Sequence, residues 1–90
     1  MISETGTAPT ADEIRRWLTE RIAFYVDLPI ERIDPDRKLT ELGLDSIYVL
    51  TMCGDIEDRL GVVVDAAMVW DHPTVGALAG RLAEDVAEQR

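Results

Sequence analysis

Ser46 directly follows Asp45 in the segment Leu42-Gly43-Leu44-Asp45-Ser46-Ile47-Tyr48-Val49-Leu50, where a loop gives way to an amphipathic pattern. Asp45 is suited to cap a helix whose first residue is Ser46. A phosphate ester on that serine would face the unpaired amides and the positive end of the helix dipole. Few other groups have chemical reach. His72 and Cys53 are each the only one of their kind, no Cys/His cluster has the spacing of a metal site, and no glycine-rich phosphate loop is present. A hydrolase using Ser46 with His72 finds no support. The serine lacks the flanking glycines of a nucleophile elbow, and His72 precedes Pro73 at a helix break, where it caps or packs. Cys53 falls on an apolar stripe and reads as a small buried hydrophobe. The pattern points to a chain that is modified at Ser46 and presented to other proteins, with no catalytic residue of its own. Taken on spacing alone, Asp-Ser reads first as an ordinary helix start.

The elements that must hold Ser46 follow from periodicity and punctuation. Thr10-Ala11-Asp12-Glu13 has the capping-box pattern, and Ile14, Trp17, Leu18, Ile22, Tyr25 and Val26 then recur at helical spacing. Helix 1 is expected over 11–27, with Pro29 preventing much continuation. Residues 28–44 form a long connection punctuated by Pro29, Pro35 and Gly43. Ile30, Ile33, Leu39, Leu42 and Leu44 are spaced along it to pin it across the bundle. A loop of this length in a small domain tends to be functional. Helix 2 is expected from Asp45 or Ser46 to Leu60, with Gly61 at its C-cap. Val62-Val63-Val64 reads as extended linker. Asp65 caps a short helix 3 over 66–70, and Thr74 caps helix 4, whose stripe of Val75, Leu78, Ala79, Leu82 and Val86 runs to about Glu88. The fold class is all-α: an antiparallel four-helix bundle with three long helices, one short helix 3 and a long helix 1–2 loop. Residues 1–9 read as a loose tail and 10–90 as the domain.

Helix 2 carries more apolar surface than a bundle needs. Val49, Met52, Cys53, Ile56 and Leu60 form a core stripe, and Ile47, Leu50 and Gly54 form a second, bordered by Thr51, Glu57 and Asp58. The second stripe fits either of two roles: packing under the loop or helix 3, or docking another protein, with Gly54 as a notch for close approach.

The segment Glu41-Leu42-Gly43-Leu44-Asp45-Ser46-Ile47 resembles the signature of acyl carrier proteins, and Trp70-Asp71-His72-Pro73-Thr74-Val75 with Leu78 is similar to the helix 3–4 junction of polyketide-synthase-type carriers. The resemblance covers about residues 10–88. It implies that Ser46 accepts 4'-phosphopantetheine from coenzyme A and that Asp45 assists the transferase. Ile47, Leu50, Glu57 and Asp58 would face partner enzymes, and Met68 and Trp70 of helix 3 would flank the arm. Tyr48 and Gly54 depart from a fatty-acid-synthesis carrier, and Asp45 from typical peptidyl carriers. The stretch 51–61 resembles loading carriers served by acyl-adenylate-forming ligases, and Gly-Leu-Asp-Ser-Ile also occurs in aryl carriers.

The implied partners are a phosphopantetheinyl transferase, an acyl-adenylate ligase or acyltransferase, and ketosynthase or condensation-type enzymes. With Met1 first and little beyond helix 4, the chain reads as a discrete carrier of a polyketide or lipopeptide-type pathway. The alternatives are an aryl or aminoacyl carrier of a nonribosomal peptide pathway, or a helical interaction protein phosphorylated at Ser46.

Bulk properties bound these readings. Ninety residues make one domain, which buries roughly 60–65% of the surface its unfolded chain exposes. The formal charge is −9, from 18 acids and 9 bases. Such a surface repels nucleic acid and attracts basic patches on proteins. One cysteine can form no internal disulfide, which fits a reduced, cytoplasmic setting. No apolar run approaches the ~20 residues of a membrane span, and 1–10 has none of the features of a signal peptide. A monomer is expected.

Overall fold

The computed structural model describes residues 9–89. The expected loose tail therefore lies, except for Pro9, outside the described residues. Four α-helices follow one another: α1 (Ala11–Val26), α2 (Ser46–Leu60), α3 (Ala66–Asp71) and α4 (Val75–Glu88). All four begin with a side-chain cap. Thr10 and Glu13 complete a capping box, Asp45 accepts from the Tyr48 amide, Asp65 from Met68 and Thr74 from Ala77. Each cap satisfies an otherwise orphaned amide and is worth about 1 kcal/mol. Gly61 ends α2 at φ 74°, a left-handed conformation that a residue with a Cβ adopts at a cost.

The apolar stripes meet in one core. Ile14, Leu18 and Ile22 of α1 join Val49, Met52, Cys53 and Ile56 of α2, Val69 of α3, and Val75, Leu78, Ala79, Leu82 and Val86 of α4. Trp17, Tyr25, Val26 and Leu60, expected in the stripes, are half-buried at its margin. Among the described residues no polar or charged side chain is buried, so the core rests on apolar burial, about 1.5–3 kcal/mol for each fully covered large side chain. α1 packs most extensively against α4.

The 28–44 connection is ordered by two short 3₁₀ turns, Ile30–Arg32 and Leu39–Leu42, which the sequence pattern does not distinguish from loop. Ile33, Leu39, Leu42 and Leu44 pin it to the core as expected. Ile30 does not: it is 40% exposed. Its turn lies on the surface, closed by bonds from Arg32 N–H to the Pro29 carbonyl and Ile33 N–H to the Ile30 carbonyl, and the chain enters the core only at extended Ile33. The connection is also sewn to the α3–α4 corner. Leu39 N–H donates to the Pro73 carbonyl at 2.8 Å and Gly76 N–H to the Pro35 carbonyl at 3.0 Å.

Val62 and Val64 are buried and Val63 is 83% exposed, the alternation of an extended strand-like linker with one face inward. His72, expected to cap or pack, is half-buried at the C-cap of α3, with Nδ1 3.0 Å from the Met68 carbonyl.

Candidate functional site

The turn before α2 aims Ser46 outward. Leu42 and Leu44 are both buried, and Gly43 between them takes φ 102°, which reverses the chain and lets both leucines reach the interior. Val49 is fully buried one turn later. With core anchors on either side, Ser46, the first residue of α2, is left exposed. The Asp45 carboxylate accepts from the Tyr48 amide at 3.1 Å, and its carbonyl accepts from the Val49 amide at 3.0 Å. The amides of Ser46 and Ile47 have no hydrogen-bond partner among the described residues. An esterified phosphate on Ser46 fits this arrangement: the hydroxyl is open to solvent, and the positive end of a long helix lies beneath it.

The second stripe of α2 faces solvent and does not pack under the loop. Ile47 is 73% and Leu50 64% exposed, and nothing lies within 4 Å of where a Cβ on Gly54 would stand. Thr51 and Asp58 are exposed beside them, the Thr51 hydroxyl donating to the Ile47 carbonyl. Glu57 is exposed but partly engaged, because Oε2 accepts from the Val64 amide at 3.2 Å and so holds the α2–α3 linker. On α3, Trp70 is 43% exposed, while Met68 is half-buried against the core. Val63, which the sequence pattern does not single out, adds exposed apolar surface in the linker.

The other flank of α2 carries a seam to α1 that the sequence pattern does not reveal. Tyr48 stacks on Tyr25 with ring centroids 6.0 Å apart, Arg21 pairs with Asp55 at 2.9 Å, and the Arg59 guanidinium lies 5.9 Å from the Trp17 ring centre. The pairings 25–48, 21–55 and 17–59 show that the two helices run antiparallel. The C-terminal end of α1 thus lies beside Ser46. The Tyr25 hydroxyl also donates to Asp55. Donation from Tyr25, reinforced by Arg21, holds the Asp55 carboxyl below its usual range. Burial, reinforced by Asp55, pushes Tyr25 up to about 12. On the core side, burial raises the Cys53 thiol, with Asp65 and Glu57 adding to the effect, so its nucleophilic thiolate is suppressed.

A shallow groove of about 340 Å³ between α1 and the connection is lined by Asp12, Arg15, Arg16, Thr19, Ile30 and Pro35, none of them among the residues predicted around Ser46. No group of His, Cys, Asp and Glu among the described residues is arranged to hold a metal ion. No helix of the described chain is long and apolar enough to cross a membrane.

The site thus sets an outward-facing serine beside an exposed apolar stripe on a small capped bundle. Comparison with known proteins identifies the class. The family model "Phosphopantetheine attachment site" matches residues 16–82. A free-standing peptidyl carrier protein from Acinetobacter baumannii is similar at 34% identity and TM-score 0.80, over 90% of this chain and 98% of that one. The acyl carrier protein LipD from Actinoplanes friuliensis is similar at 39% identity and TM-score 0.76, over 98% of both chains. A phenolphthiocerol/phthiocerol polyketide synthase of Mycobacterium tuberculosis is 32% identical over 79 residues, 88% of this chain and 4% of that protein. The chain thus spans only a small part of the curated relatives it matches. It belongs to the phosphopantetheine-binding carrier family, whose members are non-catalytic, and its fold is the four-helix bundle of that family.

Proposed function

We propose that Ser46 is the attachment point of the 4'-phosphopantetheine arm and that the protein carries acyl or polyketide intermediates between the enzymes of a natural-product pathway. One observation carries the reading: within the matched 16–82 stretch, Ser46 is exposed at the first position of α2, directly after its capping aspartate. When bound, the arm supplies a terminal thiol that holds cargo as a thioester. The chain's own residues present, orient and release it. The Ser46 oxygen forms the bond to the phosphorus of the incoming phosphopantetheine, the phosphorus–oxygen bond to the adenosine 3',5'-bisphosphate portion of coenzyme A breaks, and the hydroxyl proton leaves to base. Asp45 keeps the first turn of α2 closed while this occurs and leaves the Ser46 and Ile47 amides free to face the new phosphodiester.

Ile47, Leu50, Gly54, Thr51 and Asp58 form the docking surface, with Glu57, Met68 and Trp70 at its α3 border. The partners are the transferase, a loading acyl-adenylate ligase or acyltransferase, and ketosynthase or condensation-type enzymes, in the cytoplasm. Docking of this kind is brief. The −9 charge speeds encounter with basic partners, and a small apolar contact lets go afterwards. Tethering raises the local concentration of cargo at each docked enzyme. The similarity of LipD and of the polyketide synthase supports an acyl or polyketide cargo, while that of the free-standing peptidyl carrier keeps an aminoacyl or aryl cargo as the second reading.

The test is intact-mass analysis after incubation with coenzyme A and a broad-specificity phosphopantetheinyl transferase. The wild type gains the mass of the arm, and Ser46→Ala, with an unchanged helical circular-dichroism spectrum, gains none. Modification of Ser46→Ala would refute the assignment. Repeating the reaction with candidate acids and ligases separates the two cargo readings.

A further inference from the structure

The Ser46 end of the molecule carries a second exposed apolar patch, where α1 ends and the connection begins. Phe24 is 73% exposed and Leu28 is 38% exposed. Phe24 meets Tyr25 edge to face at 6.2 Å, and Tyr25 stacks on Tyr48, two residues beyond Ser46. A continuous aromatic line therefore runs from the α1 patch to the modified turn. Between Phe24 and Leu28 stands Asp27, which ends α1 in the left-handed conformation, φ 58° and ψ 48°. Two features make it a poor residue for the fold. A glycine would adopt this conformation without a side-chain penalty. The carboxylate also lies at the negative end of the α1 dipole, where a cation is favoured, and the last turn holds no basic residue. Among the described residues Asp27 makes no ion pair, and the nearby Arg21 is committed to Asp55 and to the Phe24 and Tyr25 rings.

Resting on the carrier reading, we infer that Phe24, Asp27 and Leu28 form a docking surface for the transferase that installs the arm, which meets Phe24 with an apolar pocket and Asp27 with a lysine or arginine. Charge complementarity selects this occupant. An enzyme that holds coenzyme A must surround its phosphates with cationic groups, and it must bring those groups up to the Ser46 hydroxyl itself. Enzymes that act on the cargo react at the far end of the arm and need no such cationic cluster at the serine itself. An acid left without a cation at this end of α1 suits the first kind of enzyme.

The experiment measures steady-state arm transfer by a broad-specificity phosphopantetheinyl transferase with coenzyme A, varying the carrier. Phe24→Ala and Asp27→Lys are expected to raise KM about 5-fold or more with kcat within two-fold. Asp12→Lys, the same charge change at the far end of α1, is expected to leave KM within two-fold. Asp27→Gly separates recognition from folding: it is expected to raise KM while raising the melting temperature by about 2–5 °C. A KM for the Phe24 and Asp27 variants no different from that of Asp12→Lys overturns the inference and leaves the carrier reading intact. A wild type that gains no arm at all defeats the carrier reading itself.

Discussion

Asp45, the cap of α2, and Asp55 within it use their carboxylates differently. Asp45 closes the first turn of α2 by accepting from Tyr48. Replacing it with alanine should cost about 1 kcal/mol of unfolding free energy in urea titrations and slow arm transfer, because the turn presenting Ser46 frays. Asp55 receives Tyr25 and Arg21 across the α1–α2 seam. Its carboxyl is depressed, so its share of stability is present above the ordinary value near 3.9 and is lost as pH falls through its lower folded value. Tyr25 works in the opposite sense. Its hydroxyl titrates near 10 in the unfolded chain and is pushed up to about 12 in the folded one. Its contribution is therefore whole below about pH 10 and disappears as pH climbs toward 12. Tyr25→Phe should lower stability at pH 8 and flatten the decline between pH 9 and 11.5. Equal alkaline slopes in wild type and variant would refute this account of the seam.

The three sides of α2 divide the work between them. Val49, Met52 and Ile56 face the core, Tyr48, Asp55 and Arg59 face α1, and Ile47, Leu50 and Gly54 face solvent. Leu50→Asp should reduce the rate of cargo transfer from a partner at least about 5-fold while moving the melting temperature by less than about 2 °C, since Leu50 is largely exposed and buries little apolar area on folding. A large fall in melting temperature would show that Leu50 supports the fold instead. The ends and stripes of the helices are legible in the sequence because they are local chemistry. Thr10, Asp45, Asp65 and Thr74 cap within three residues of themselves, Gly61 marks its own left-handed stop, and Val49 through Ile56 repeat at the helical period. The Arg21–Tyr25–Asp55 cluster is not legible. Asp55 lies 34 and 30 residues from Arg21 and Tyr25 in the chain, and no local pattern announces that the three side chains will converge. Ile30 misleads for a related reason: hydrophobicity says that a side chain can be buried, but the path of a connection decides whether it is. Ser46 stands out by type and neighbours, whereas its outward aim depends on Leu42, Leu44 and Val49 all reaching the core.

At the scale of the molecule, one apolar core holds together elements too short to stand alone. Met52 is fully buried at the centre of α2. Met52→Ala should destabilise the protein by about 2–5 kcal/mol, measured by chemical denaturation, without removing any group from the Ser46 end. Because the whole domain is small, that loss would take a large part of its marginal stability. The arrangement of α3 has a separate consequence. This helix, Ala66–Asp71, hangs between two posts: Glu57 grips the chain at Val64, and the connection grips it at Pro73 through Leu39. Between the posts Val69 is fully buried, a central peg driven into the shared interior. Cutting one grip, as in Glu57→Ala, should therefore loosen 64–72 first, seen as faster amide exchange confined to that stretch.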